Sequence, residues 1–256
     1  CRSEAIRARE EGNIDRASAL RERVEILTSP PGALWNALES GDEIRGLCRR
    51  LATSHCLCGV DKNHLAREVT ELSLWFLIAK GGFPLPPLDH HILAGDTLTG
   101  ATLEDLRRLP RQETPIEPEL SEPLEKTIAG VIERSQELTK SFERESAALD
   151  STSEELENIE RNLRRELAPL MKLSRVWTGA VVVKEHEPAS ADNAYREALD
   201  KVIAIGRPRA ISKPLQKVVT SLEKAGSESV SFELAFPAAR RDGRWGFDAI
   251  LGNPPW

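Results

Sequence analysis

No run of about 18 consecutive apolar residues occurs in the chain, so no membrane-spanning helix is expected. There are only four cysteines, Cys1, Cys48, Cys56 and Cys58. That is too few for a disulfide framework at this length, which points to a reducing, cytoplasmic setting. Basic excess is also missing: the formal net charge is −6, which excludes a basic nucleic-acid footprint over the whole chain. Local basic clusters at Arg107-Arg108, Arg161 to Arg165 and Arg240-Arg241 read as solvated helix faces. Methionine occurs once, at Met171, and the chain opens Cys1-Arg2-Ser3-Glu4. This is neither a signal peptide nor a translation start, and the expectation is an internal piece of a longer protein. With 40% hydrophobic and 30% charged residues, the 256 residues can bury a core.

Cys56-x-Cys58, with Cys48, His55 and His64 nearby, lacks the spacing of a Cys-x-x-Cys metal knuckle. Residues two apart share one side of a strand, so both thiols are expected to pack as small apolar groups. No metal site is predicted.

Apolar residues at Ile14, Ala17, Leu20, Val24 and Leu27 predict a helix over 4–27, ended by Ser29-Pro30-Pro31-Gly32. A second helix is expected over 33–53. Cys56 to Asp61 is a short apolar run ending in an acid, the pattern of a buried parallel strand. Leu65 to Ile78 reads as a well-buried helix stopped by Gly81-Gly82. His90 to Leu98 reads as a second strand ending in Gly95-Asp96. Strand, helix and strand with an acid at each strand end predict a βαβ unit with its ligand at the strand carboxyl ends.

A short helix is expected over 102–109 and a Pro- and Glu-rich linker over 110–120. Residues 122–173 carry a narrow apolar stripe on a highly charged background, read as a helical hairpin or short coiled coil. Asp150 to Glu155 supplies its turn and a helix cap. Residues 174–225 predict further helices, broken at Gly206-Arg207-Pro208 and near Pro214. Val176 to Val183 fits helix or strand equally. Val230 to Phe236 alternates like a strand, Arg241 to Arg244 reads as a turn, and Phe247 to Gly252 reads as a buried strand entering Asn253-Pro254-Pro255-Trp256.

That tetrapeptide carries chemistry. Two prolines fix φ near about −65° and remove two backbone donors. Asn253 adds a side-chain carbonyl, and Trp256 offers a face for a flat base. Such a pocket accepts both N–H groups of an exocyclic amine and aims its lone pair at a methyl donor. Positioning and charge complementarity then lower the barrier.

Three stretches resemble the large adenine-specific (N6) DNA methyltransferases of bacterial restriction-modification and phage-defence systems. Cys58 to Asn63, with Ala66 and Leu72-Ser73-Leu74-Trp75, resembles the family's second motif. Leu88 to Gly100 resembles its third. Phe232 to Pro237 and Gly246 to Trp256 resemble the approach to the fourth and the fourth itself. The glycine-rich first motif is not present, and the resemblance places it upstream of Cys1.

The resemblance implies an α/β fold: part of a Rossmann-like, S-adenosylmethionine-dependent methyltransferase sheet with a long helical insertion. Residues 1–100 and 226–256 would be the two parts of the catalytic core, and 101–225 the insertion. Asp61 would hold the ribose hydroxyls of S-adenosylmethionine and Lys62 would lie against its adenine ring. Asp96 would accept from the adenine amine, with Thr97 and Leu98 beside it. Asn253, Pro254, Pro255 and Trp256 would hold an adenine flipped out of double-stranded DNA. Alone, this stretch is expected to be inactive and to bind cofactor weakly. Two alternatives stay open: amine methylation on RNA or protein, and a scaffold whose hairpin at 122–173 binds a partner protein.

Overall fold

Residues 41–79, 85–147, 152–203, 212–241 and 244–252 are described by the computed structural model. The helix expected over 4–27, the glycine stop at 81–82 and the break at 206–208 lie outside them. Helix α1 (Gly41–His55) leads through a turn at Cys56 into β1 (Gly59–Asp61), α2 (His64–Ile78) and β2 (Ile92–Ala94). β1 and β2 pair directly. The Gly59 amide donates to the His91 carbonyl at 2.8 Å and the Gly95 amide to the Asp61 carbonyl at 2.9 Å. Those two bonds are the slanted register of parallel strands, so the expected βαβ unit is present, with strands shorter than the apolar runs suggested.

The described residues form two units. One draws on residues up to Gly59, Glu68–Ile92 and Lys140–Arg161, the other on Val60–Arg67, Leu93–Thr139 and Asn162 onward.

In the first unit, Ile78, Leu88, Ile92, Phe142 and Leu156 are buried alongside Arg50, Thr53, Ser54, His91 and Glu160. The interior is unusually polar, and two of its imidazoles meet at a tilt of 48°. The rings of His90 and His91 lie 4.2 Å apart, and Phe142 meets His90 edge-on at 4.4 Å. Nδ1 of His91 is 3.0 Å from the Leu57 carbonyl. A carbonyl only accepts, so Nδ1 carries the proton. The expectation for α2 is corrected: Val69, Leu72, Phe76 and Leu77 are exposed, Phe76 at 75%. The helix mixes its apolar residues with Arg67, Glu68 and Glu71, and the face it buries runs through Glu71, Leu74, Trp75 and Ile78. Its Trp75 indole donates to the Pro86 carbonyl at 2.9 Å. The expectation for Cys56 is corrected too. It sits in the turn before β1, outside any strand, and is exposed. Cys58 is half-buried, and burial, with Cys56 nearby, pushes its thiol up to about 11.

The second unit is built on α3 (Pro118–Ala147) as far as Thr139, α4 (Ser153–Val182) from Asn162 onward, α5 (Pro188–Ile203) and α6 (Lys213–Ala225). The cap at the start of α4 is reciprocal: the Thr152 hydroxyl accepts the Glu155 amide at 3.2 Å, while Glu155 accepts the Thr152 amide at 2.8 Å. This is the capping box expected before the second helix. Arg134 pairs with Glu166 across the two helices. They are not a two-stranded coiled coil, however. Leu124, Ile128 and Val131 of α3 and Leu163, Leu170 and Leu173 of α4 share one core with Tyr195 of α5 and Leu222 of α6. Each such leucine contributes about 1.5–3 kcal/mol on burial, and three facing helices bury more of it than one. Val176 to Val182 resolves as helix, the last two turns of α4. Pro214 opens α6 in its first turn, behind the Ser212 cap.

Residues 101–117 are packed rather than linker. Leu106, Leu109 and Ile116 are buried, and the expected helix over 102–109 is a single 3-10 turn at Asp105–Arg107. The Leu109 amide donates to the Thr114 carbonyl at 2.8 Å and the Ile116 amide to the Arg107 carbonyl at 3.0 Å. These close a tight reversal with Glu113 at φ 54°. The Tyr195 hydroxyl donates to the Leu106 carbonyl, and the Trp177 indole to the Arg108 carbonyl at 3.0 Å. The proline-rich composition reflects this turn against α4 and α5.

Two expected strands near the end are absent. Val230 to Phe236 contains a short helix, α7 (Phe232–Ala235). Phe247 to Gly252 is in no strand, with Ile250 and Leu251 exposed at 81% and 98%. Among the described residues no strand pairs with it, so it has no sheet face against which to bury them. β3 (Arg240–Arg241) pairs antiparallel with β4 (Arg244–Trp245), Arg241 facing Arg244; residues 242 and 243 of the turn expected between them lie outside the described residues.

Candidate cofactor site

The carboxyl ends of β1 and β2 bring Asp61, Lys62, Asp96, Thr97 and Leu98 together in the second unit. Asp61 closes β1, and its Oδ1 accepts the Asn63 amide at 2.7 Å. Asn63 in turn caps α2, its side-chain oxygen accepting the Leu65 amide at 2.9 Å. The acid, the turn and the helix start are thus one hydrogen-bonded unit. Asp61 is exposed, and its Oδ2 has no hydrogen bond among the described residues.

Asp96 lies one residue beyond the rung at which the Gly95 amide meets Asp61. Its Oδ1 accepts the Leu98 amide at 2.9 Å and its Oδ2 the Lys62 ammonium at 3.2 Å. The Leu98 amide first, and Lys62 after it, hold this carboxyl below the usual aspartate range. Thr97 is exposed, and Leu98 presents an apolar side chain that is 84% exposed.

The backbone of Asp96 is clamped by a segment that the sequence does not mark as a partner. Its amide donates to the Glu228 carbonyl at 2.6 Å, and its carbonyl accepts the Val230 amide at 3.0 Å. Asp96 and Ser229 therefore form a parallel bridge. The approach is tight on both sides. A β-carbon on Gly95 would lie 2.5 Å from Val230 Cγ2 and 2.6 Å from the Glu228 carbonyl oxygen. One on Gly100 would lie 1.9 Å from the Val230 carbonyl oxygen. Two glycines five apart around an acid were the available signal, since strand glycines mark close backbone approach. Beyond Gly100, the Ala101 amide donates to the Thr178 hydroxyl at 3.2 Å, and the Leu103 amide donates to Glu233.

S-adenosylmethionine fits this donor set in part. A carboxylate has about four lone-pair positions. Asp61, with Oδ1 used once, can accept from both hydroxyls of a ribose diol. Asp96 has both oxygens engaged and takes a further amine donor by sharing or by displacing Lys62, whose side chain is 71% exposed. Lys62 is thus tied to the Asp96 carboxylate. Asn253, Pro254, Pro255 and Trp256 lie outside the described residues. Among the described residues, no cluster of three or more metal-ligating side chains occurs and no helix is long and apolar enough to cross a membrane.

Neither a curated protein nor a solved structure gives a match. The family described as Eco57I restriction-modification methylase matches residues 55–256, from the last residue of α1 through the Asn-Pro-Pro-Trp stretch. The chain belongs to the Eco57I restriction-modification methylase family.

Proposed function

We propose that this chain is part of a DNA methyltransferase that transfers a methyl group from S-adenosylmethionine to N6 of an adenine flipped out of double-stranded DNA. The observation that carries the reading is the placement of Asp61 and Asp96 at the carboxyl ends of paired parallel strands, where ligands bind in open α/β sheets. The family match over residues 55–256 supports it.

On this reading the Asp61 carboxylate accepts the ribose hydroxyls. Asp96, kept ionised by the Leu98 amide and Lys62, accepts an amine donor. Leu98 gives an exposed apolar surface beside it for a purine face. S-adenosylmethionine, when bound, supplies an electrophilic methyl group. Asn253 and the Pro254 carbonyl would accept the two N–H groups of the target amine, and Trp256 would stack on its ring. Two accepted hydrogen bonds favour a pyramidal nitrogen whose lone pair is free to attack. The amine of a paired adenine is occupied, so the base must leave the duplex.

The test is protection of DNA from a methylation-sensitive nuclease by the protein carrying this chain. Asn253→Ala is expected to abolish protection while the protein stays folded. Asp61→Ala is expected to raise the cofactor Kd by about tenfold or more, as loss of a hydrogen bond to a charged acceptor requires. Undiminished methylation by Asn253→Ala would overturn the reading.

A further inference from the structure

Asp96 and Asn253 are 157 positions apart in the chain, yet the residues leading to each meet on one short helix. Val230, whose amide bonds the Asp96 carbonyl, is two residues before α7. Glu233 of α7 accepts the Leu103 amide and so closes the loop that begins at Asp96. From α7 and its end, Phe232 and Phe236 hold Phe247. The ring centroids are 6.3 and 5.8 Å apart, with interplanar angles of 76° and 79°. These are edge-to-face arrangements of the favourable kind. Phe247 stands six residues before Asn253.

Core packing accounts for Phe236, which is buried, but not for the two rings that meet it. Leu234 and Ala235 anchor α7 in the interior, whereas Phe232 is 42% exposed and Phe247 is half-buried. The aromatic cluster contributes less burial than position. It fixes one end of an otherwise unpaired segment, whose Ile250 and Leu251 are exposed.

We propose that α7 couples the two halves of the site, with Glu233 positioning the Asp96–Leu103 loop and Phe247 positioning the segment that carries Asn253. Both act through other groups and touch neither substrate. The inference rests on the roles assigned above to Asp96 and Asn253. It divides them: the Glu233 contact governs cofactor binding, and the Phe247 contact governs alignment of the target amine.

The experiment uses the full protein, with S-adenosylmethionine affinity by calorimetry and single-turnover methyl transfer to duplex DNA. Phe247→Ala is expected to leave the cofactor Kd within about twofold and to slow the single-turnover rate about 10- to 100-fold, the size of effect produced by small misplacements. Phe247→Tyr, which keeps the ring, restores the rate. Glu233→Ala raises the cofactor Kd about tenfold, and Glu233→Gln, which keeps an acceptor oxygen, recovers most of it. A Phe247→Ala protein that loses thermal stability but transfers methyl at the full rate overturns the coupling. So does one in which Kd and rate move together. If Asn253→Ala is inactive while Phe247→Ala is fully active, only the coupling fails. If Asn253→Ala is itself active, the functional reading fails first.

Discussion

Gly100 sits against Val230 so closely that a β-carbon on it would stand 1.9 Å from the valine carbonyl oxygen. The obstructing atom is backbone, fixed by the same segment that clamps Asp96, so it cannot yield as a side-chain tip does. Gly100→Ala is therefore expected to destabilise the protein by about 2–3 kcal/mol. Because the relief is movement of residues 228–230, cofactor affinity should fall as well. Thermal unfolding and calorimetric titration of Gly100→Ala check both. An alanine variant as stable as the parent would show that the Asp96–Ser229 bridge is dispensable.

Asp96 offers a prediction about order of causes. The Leu98 amide is the largest single influence on its carboxyl, ahead of the Lys62 hydrogen bond and of burial, and the Lys62 charge lowers it further. Lys62→Met should raise the Asp96 titration midpoint but leave it below the ordinary aspartate value of about 4. The sign follows from linkage. A carboxyl depressed in the folded state adds stability above its unfolded value, and that stability is lost as pH falls through the folded one. The effect on overall stability at neutral pH should be small, because the ammonium is largely exposed and screened. Carboxyl chemical shifts followed by NMR between pH 2 and 6 measure the midpoint. A return of Asp96 to the ordinary value in Lys62→Met would reverse the ranking.

The placement of Asp61 and Asp96 at strand ends was legible in the sequence because each ends a short apolar run, although each also closes a local turn by accepting the amide two residues on. The Thr152 cap was legible because hydroxyl and carboxylate three apart bond locally. What the sequence hid were relationships made at long range or degenerate in period. Phe232 and Phe236 share a face in a strand and in a helix alike, since four is two strand repeats and about one helical turn. The alternation over 230–236 therefore fits both, and the helix prevails through Glu233 and the buried Leu234. In Leu65 to Ile78 the apolar stripe at helical spacing is Leu65, Val69, Leu72 and Phe76, yet that stripe is exposed and Glu71 is on the buried side, so the pattern points to the wrong face. The docking of Glu228 to Val230 on Asp96 joins positions more than 130 apart, and no local pattern encodes it.

His91 predicts how the first unit responds to acid. Burial, then the neighbouring His90, lowers its imidazole to about 3, and burial lowers His55 to about 4. The groups facing His91 are His90, His55, the Cys58 thiol and the Leu57 carbonyl, with Glu160 beyond His90 at 3.7 Å. An unfolded histidine binds its proton near pH 6.5, and the folded one does not. Stability is therefore complete above about pH 6.5 and declines as pH falls from there toward 3, by at most about 1.4 kcal/mol per pH unit for each such group. His91→Asn should flatten the fall in melting temperature without abolishing it, since His55 remains. A pH profile identical in parent and variant would show that His91 titrates normally.

Two helical glycines should respond to alanine with opposite signs. Alanine in a helix interior ordinarily stabilises by about 0.5–1 kcal/mol over glycine. On α3, a β-carbon at Gly130 would meet only the Arg134 guanidinium, at 3.1 Å, which is the end of a flexible side chain. On α4, a β-carbon at Gly179 would stand 1.9 Å from the Leu222 carbonyl oxygen, and one at Gly226 would stand 2.0 Å from the Arg175 carbonyl oxygen. There α4 and the end of α6 meet backbone to backbone. Gly130→Ala should raise the unfolding free energy by up to about 1 kcal/mol. Gly179→Ala should lower it by about 2 kcal/mol or more, because the helices must separate and the Leu222 side chain loses its packing. Denaturant unfolding of both variants, with unchanged slopes, separates the outcomes. If both stabilise alike, then α4 and α6 are not in backbone contact, and the second unit has a looser core than the buried Leu222 and Tyr195 imply.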